Sequence, residues 1–199
     1  MVAITFVRHG LTDHNLEKRA QGHTQNPLNE TGRAQAALVA KRLSEEPWDV
    51  FISSDLRRAR ETAEIISAAI GKPVDFFDER LREMDRGKIA DTTEAERIER
   101  WGIHWRQLDM GQETHESMRA RGRSFAQDIA SRYAGHKVLV VTHGYFLGQL
   151  LKELMQDEST GDDLRNTSVT TIAYNGGKWE YVLYDCVKHL PQNDNVTSG

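Results

Sequence analysis

Apolar positions along this chain alternate between two spacings, and the changes of spacing mark strands and helices in turn. Val2 to Val7 is a short apolar run rich in β-branched residues, closed by polar and glycine-bearing sequence, which is the pattern of a buried strand. After a loop containing Pro27 and Gly32, Ala36, Val39, Ala40 and Leu43 recur at helical spacing until Pro47 closes the segment. Val50 to Ile52 reads as a second strand. Ser53, Ser54 and Asp55 then offer capping side chains, and Leu56, Ala59, Ala63, Ile66 and Ile70 trace one helix face that Gly71 stops. In the middle of the chain the pattern allows a short strand at Val74 to Phe77 and a polar helix from Thr93 to Leu108. Met118, Phe125, Ala126, Ile129 and Tyr133 predict a long amphipathic helix, Val138 to Thr142 a strand, and Leu147, Leu150, Leu151 and Leu154 another helix. Val169 to Tyr174 and Trp179 to Val187, separated by Asn175-Gly176-Gly177, read as a hairpin.

Strands alternating with helices predict an α/β fold, a three-layer α/β/α arrangement with a mostly parallel central sheet and the hairpin as an antiparallel edge. With 199 residues and no break in composition, one domain is expected over 1–187, followed by a flexible tail at 188–199. No internal repeat or low-complexity tract interrupts it.

Composition narrows the function classes. Apolar residues make up 38% of the chain and charged residues 28%, and 26 basic against 30 acidic residues leave a net charge of −4. That balance argues against a nucleic-acid binder, an anionic-lipid surface and a membrane protein, so any anion site has to be local. The first residues run straight into strand-like sequence without a basic leader, and no window reaches the length of a membrane span. The single cysteine, Cys186, rules out an internal disulfide framework and reads as a small buried hydrophobe in a late strand. A cytoplasmic protein is the expectation. The Asn195-Val196-Thr197 sequon is read as chance.

In open α/β sheets ligands bind outside the carboxyl ends of the strands. Strand one ends in Arg8, His9 and Gly10; the helix after strand two opens with Arg57, Arg58 and Arg60; the strong later strand ends in His143 and Gly144. Arginines at a helix start oppose the dipole, and a bound anion there would offset the cost. For Arg57 and Arg60 a solvated basic face is the preferred reading. A metal centre is disfavoured: His115-Glu116 lacks a second histidine one turn on, and a set of His9, His14, His143 and Asp13 would have Arg8 opposing the cation. Neither a Gly-x-Ser-x-Gly elbow nor a Walker glycine loop with lysine occurs.

The run Phe6-Val7-Arg8-His9-Gly10-Leu11-Thr12-Asp13-His14-Asn15 resembles the opening signature of the histidine phosphatase superfamily, which includes the cofactor-dependent phosphoglycerate mutases. Gln21-Gly22 with Pro27 to Gly32, Ser53 to Ala59 with Thr62-Ala63, Leu81-Arg82-Glu83, Glu116-Ser117 with Arg121, and Val141 to Gly144 resemble later family segments in order. Leu11 departs from the glutamate many relatives carry, and 84–91 lacks their aromatic and Glu-Gly residues.

The resemblance implies a phosphatase acting on a small-molecule phosphate ester, with no metal and no cofactor. His9 would attack phosphorus as a neutral imidazole, its other ring nitrogen bonded to backbone. Arg8, Arg58, His143, Asn15 and the Gly144 amide would hold the transferring oxygens, and Glu83 would protonate the leaving group and then take a proton from water. The alternative role for Glu83 is an ordinary salt bridge to Arg82 or Arg86. Gly10 belongs to the phosphate-binding set, and Thr12, Gln21 and Gly22 either contact substrate or shape the loop. A mutase is the alternative, disfavoured by the span of about sixty residues from Glu83 to His143; an inactive phospho-ligand binding module is a second. Pocket walls are expected from the segment between Glu83 and Met118, including Trp101, Trp105 and Arg106.

Overall fold

A computed structural model of the chain describes residues 1–161 and 164–191. Strands β1 (Val2–Arg8), β2 (Val50–Ser53), β3 (Phe76–Phe77) and β4 (Lys137–Thr142) run parallel, and β5 (Val169–Asn175) and β6 (Lys178–Cys186) form the antiparallel edge. The sheet order is β3-β2-β4-β1-β5-β6. β4 sits between β2 and β1, pairing Val140 with Ile52 on one side and with Phe6 on the other. The carboxyl ends of β1, β2 and β4 therefore converge on one edge.

Helices α1 (Asp13–Leu16), α2 (Glu30–Leu43), α3 (Arg57–Ile70), α4 (Glu94–Trp101), α5 (His115–Arg132) and α6 (Gly144–Met155) connect the strands. Because alternate strand residues face opposite sides, the sheet buries two separate cores. Ile4, Phe6, Ile52, Val138 and Val140 pack with Met118, Phe125 and Ile129 of α5 and Phe146, Leu147 and Leu150 of α6. Val7, Phe51, Leu139 and Val141 pack on the other side with Val39 and Ala40 of α2 and Ala59, Ala63 and Ile66 of α3. The chain is thus the three-layer α/β/α fold that the alternating pattern predicts, with α2 and α3 on one face and α5 and α6 on the other.

Three local expectations give way. Ser53, Ser54 and Asp55 do not cap α3, whose N-cap is Leu56 with no side-chain bond. Their side chains are committed elsewhere: Ser54 to His143, Asp55 to Arg82, and the Ser53 hydroxyl to the Ser54 carbonyl. The Arg57 amide is met instead by Gln25 Oε1 at 2.9 Å. The polar helix expected from Thr93 to Leu108 stops at Gly102, whose φ of 81° leaves the helical region, and resumes as a single tight turn at Trp105–Gln107. The strand expected over Val74 to Phe77 keeps just Phe76 and Phe77 in the ladder. Of the tail at 188–199, residues 192–199 and the sequon at Asn195 lie outside the described residues.

Candidate active site

The site begins where β1 ends. Arg8 and His9 leave the strand buried, and the chain turns at Gly10, where a Cβ would stand 2.4 Å from the Gly32 carbonyl oxygen. Only a glycine lets α2 cross this closely. The Gly10 amide donates to Thr62 Oγ1 at 3.1 Å, which ties the loop to α3. Residues before β5 hold the same loop from the other side. Asn166 Nδ2 donates to the His9 carbonyl at 3.0 Å, the Thr167 amide to the Arg8 carbonyl at 3.0 Å, and the Arg8 guanidinium to the Leu164 carbonyl.

His9 Nδ1 lies 2.7 Å from the Gly10 carbonyl oxygen, an acceptor, so Nδ1 carries the proton and Nε2 keeps its lone pair. Burial, then the charges of Arg58 and Arg8, hold the imidazole pKa well below its usual value, so the ring is neutral. Arg58, the second residue of α3 and 1% exposed, points Nε at His9 Nε2 from 3.3 Å. Its other nitrogens donate to the carbonyls of Thr24 at 3.0 Å and Gly22 at 2.9 Å. Burial lowers its pKa to about 10, with Arg8 adding to the fall and the Glu83 carboxylate opposing it.

His143 ends the connection from β4 and precedes α6, its ring centroid 5.2 Å from that of His9. Ser54 Oγ lies 2.8 Å from His143 Nε2, while the buried Nδ1 has no hydrogen-bond partner among the described residues. Burial, followed by Arg58, keeps this ring's pKa well below its usual value as well.

Glu83 enters from the segment after β3. Its Oε1 accepts from the amides of Met84 at 2.7 Å and Phe146 at 3.0 Å, and Oε2 from that of Tyr145 at 3.2 Å. The carboxylate sits on the exposed donors of the first turn of α6, where the helix dipole favours it. The salt bridge to Arg82 or Arg86 does not form, since Arg82 pairs with Asp55. Arg121 fixes the backbone beneath Glu83. It donates to the carbonyls of Arg80, Arg82 and Glu83 and grips Glu113 with two nitrogens at 2.8 and 2.9 Å.

Arg8, His9, Arg58 and Glu83 line one cavity of about 250 Å³, together with Asn15, Gln21 and Gly22. Thr12 is buried away from it, its hydroxyl 3.0 Å from both Asn15 Oδ1 and Gln21 Oε1, and it caps α1 in a reciprocal box with Asn15. It shapes the loop that brings Asn15 to the cavity. Gly144, buried, is the first residue of α6. His14 bonds Asp91 at 3.0 Å rather than approaching His9. Arg57 pairs with Glu61, and Arg60 lies over the Phe77 ring, so both belong to the surface.

The outer wall does come from the segment after Glu83, but through Arg86, Ile89 and Arg97, with Tyr145 from α6. Trp105 instead packs against Ile89 and Met110, with Trp101 beside them, and Arg106 pairs with Glu94. Alternating Trp and Arg cannot reveal which face turns inward when the helix breaks at Gly102. Ser54, Thr62, Asn166 and the clamp made by Arg121 join the site through contacts far apart in sequence, and Ser54, Thr62 and Arg121 carry a hint, as members of the ordered segments.

A sequence model of the histidine phosphatase superfamily, branch 1, matches residues 4–187. Phosphoglycerate mutase-like protein 4 of Arabidopsis thaliana is 33% identical, over 98% of this chain and 90% of its own. A Bacillus subtilis protein named as an uncharacterised phosphatase, PhoE, is 32% identical over 96% and 97%. Among solved structures, YhfR of Bacillus stearothermophilus superposes with a TM-score of 0.84 at 30% identity, covering 95% of this chain and 99% of that one. A mycobacterial glucosyl-3-phosphoglycerate phosphatase complexed with VO3 gives 0.81 at 26%, covering 92% and 98%. The chain belongs to the histidine phosphatase superfamily, branch 1.

Proposed function

We propose that this protein is a phosphatase that hydrolyses small phosphomonoesters in the cytoplasm, through a phosphohistidine on His9. The observation that carries the reading is the neutral His9, its Nδ1 proton tied to Gly10 and its Nε2 facing Arg58 in a cavity that also holds Arg8 and Glu83. Nε2 attacks phosphorus in line, the P–O ester bond breaks, and the departing oxygen takes a proton from Glu83. Water then attacks the phosphohistidine, Glu83 accepts its proton, the P–N bond breaks, and inorganic phosphate leaves. Oε2 is the oxygen suited to carry the proton, since it accepts one long hydrogen bond where Oε1 accepts two.

Arg8 and Arg58 neutralise the equatorial oxygens, in the role that a metal ion fills in other phosphoryl-transfer enzymes. If the Ser54 hydroxyl donates to His143 Nε2, the proton of that ring sits on Nδ1, the nitrogen without a protein partner, and is available to a phosphoryl oxygen. The lone Cys186 suits a reducing compartment.

The test is release of nitrophenol from p-nitrophenyl phosphate in EDTA, together with trapping of an acid-labile, alkali-stable phosphoenzyme. Turnover with a trapped phosphohistidine supports the reading. Binding of the ester without release sinks it in favour of a binding module, and loss of turnover to EDTA would require a metal. Relatives carry both phosphatase and mutase names. With a phosphoglycerate as substrate, an isomerised ester in place of inorganic phosphate would make the protein a mutase.

A further inference from the structure

The stretch before β5 that fastens the His9 loop is itself held from behind. Thr167, fully buried, has a φ of +54°, a left-handed backbone that a β-branched residue adopts at a cost. In that conformation its amide donates to the Arg8 carbonyl at 3.0 Å and reaches the His9 carbonyl at 3.4 Å. Beside it, Asn166 Nδ2 donates to the same His9 carbonyl. A strained turn of this kind persists only when its surroundings hold it.

The end of β6 and the turn that follows supply the grip. The Arg165 amide and Nε donate to the Asp185 carboxylate at 3.0 and 2.7 Å, and Nη2 donates to the Asp185 carbonyl. Two residues on, Thr167 Oγ1 lies 3.3 Å from His189 Nε2. Residues 165 and 167 are thus gripped by 185 and 189, and Asn166 between them bonds His9.

A third partner gives the Thr167–His189 bond its direction. Arg42, in the last turn of α2, places Nη1 3.3 Å from His189 Nδ1, and the same nitrogen lies 3.3 Å from the Cys186 carbonyl. A guanidinium can only donate, so Nδ1 accepts, the ring proton lies on Nε2, and Thr167 Oγ1 is its acceptor. Burial and then Arg42 lower the His189 pKa to about 4, which keeps the ring neutral and this tautomer in place at neutral pH. The chain of bonds ends on a firm element, since Val39, Ala40 and Leu43 of α2 are packed in the core. His189 itself stands outside the cavity that holds His9.

We propose that His189 is a positioning residue for the His9 site. Anchored on Arg42, it donates to Thr167, holds the left-handed turn, and through that turn fixes the carbonyls of Arg8 and His9. This rests on the phosphatase reading above, in which His9 attacks and Arg8 binds the phosphoryl group, and adds to it a residue that touches no substrate.

Kinetics with p-nitrophenyl phosphate test this strap. His189→Ala should lower kcat about tenfold or more, since in-line attack tolerates little displacement of the attacking atom. His189→Gln should retain most of the activity, because its amide oxygen can accept from Arg42 while its amide nitrogen donates to Thr167. Thr167→Val, which removes the acceptor, should match His189→Ala, and Thr167→Ser should stay near the wild type. Joining His189→Ala to Thr167→Val should cost no more than either alone, whereas independent effects would multiply. Unchanged kcat in folded His189→Ala, a glutamine variant as poor as the alanine one, or losses that multiply each overturn the proposal. Should His189→Ala fail to fold, Thr167→Val against Thr167→Ser decides, and equal activities overturn it. Should the wild-type protein hydrolyse no phosphoester, the phosphatase reading fails by itself, and hydrogen exchange at the Thr167 amide decides the strap. Exchange about tenfold faster there in His189→Ala, with β4 still protected, upholds it. Unchanged exchange, or protection lost throughout the sheet, overturns it.

Discussion

At the carboxyl edge of β1, β2 and β4 the side chains facing His9 are held largely by main-chain groups, whereas the wall beyond Glu83 hangs on a small apolar cluster and on ion pairs. Arg58 is fixed by two carbonyls, Glu83 by three amides, and His9 by its own neighbour's carbonyl. The wall has Ile89, Trp105 and Met110 as its buried centre, and Arg19–Glu96 and Arg97–Glu94 as its ties. Main-chain partners persist through most side-chain substitutions, so the inner arrangement is insulated from sequence drift. Partly exposed ion pairs contribute little each, about 0–1 kcal/mol, and can be exchanged without disturbing the sheet. One region is held by bonds that side-chain substitution leaves in place, the other by bonds that substitution can exchange.

The contrast can be broken or sharpened by experiment. His9→Ala should lower kcat by about four orders of magnitude or more and abolish the labelled phosphoenzyme. A label that survives would place the nucleophile elsewhere. Glu83→Gln should cost about 10²–10⁴-fold on an alkyl phosphate but far less on a dinitrophenyl phosphate, whose leaving group needs no proton. Arg121→Met should show the same leaving-group signature at roughly a tenth of the size, because it displaces the backbone that carries Glu83. An equal loss on both esters would mean that Arg121 serves stability alone.

For the wall, Trp105→Ala should remove about 3 kcal/mol of packing. Amide exchange should then speed up over 84–112 while β1 and β4 stay protected. Loss of protection in both regions would show a single cooperative unit and end the comparison.

A separate effect, on stability and not on chemistry, is the response to acid. The His9 and His143 pKa values lie well below 6.5, and burial with Arg42 lowers that of His189 to about 4. Below about pH 6.5 the unfolded chain takes up protons that the folded one refuses, so stability is full above that pH and falls as the solution is acidified. Each such histidine contributes a slope of roughly 1.4 kcal/mol per pH unit until its folded pKa is reached. Urea titrations at pH 7 and pH 5 measure it, and His143→Gln should flatten the slope.

The sequence made the floor of this site far more legible than its wall. Arg8, His9, His143 and Arg58 each follow a strand whose apolar run is unmistakable, and strand order alone brings them to one edge. Glu83 follows no clear strand, and its segment resemblance, not its periodicity, singled it out. The Trp101 to Arg106 stretch misled because its amphipathic spacing assumes an unbroken helix, which Gly102 ends. Thr12 and Asn15 satisfied each other as a cap, a local bond that competes with any ligand contact and that residue type cannot distinguish from one. The pairing of Ser54 with His143 spans 89 positions and leaves no local trace.

The short stretch before β5 gives the chain a timetable. Asn166 and Thr167 fasten the backbone of His9 and Arg8, and the Leu164 carbonyl receives the Arg8 side chain. During synthesis β1, β2 and β4 can all have left the ribosome and paired while the His9 loop still lacks these anchors. An unfinished or truncated chain ending at α6 would carry the parallel sheet and both histidines without a fastened His9. The His9 loop is thus fastened late, by the stretch that leads into the final hairpin, and the newest part of the chain completes the oldest.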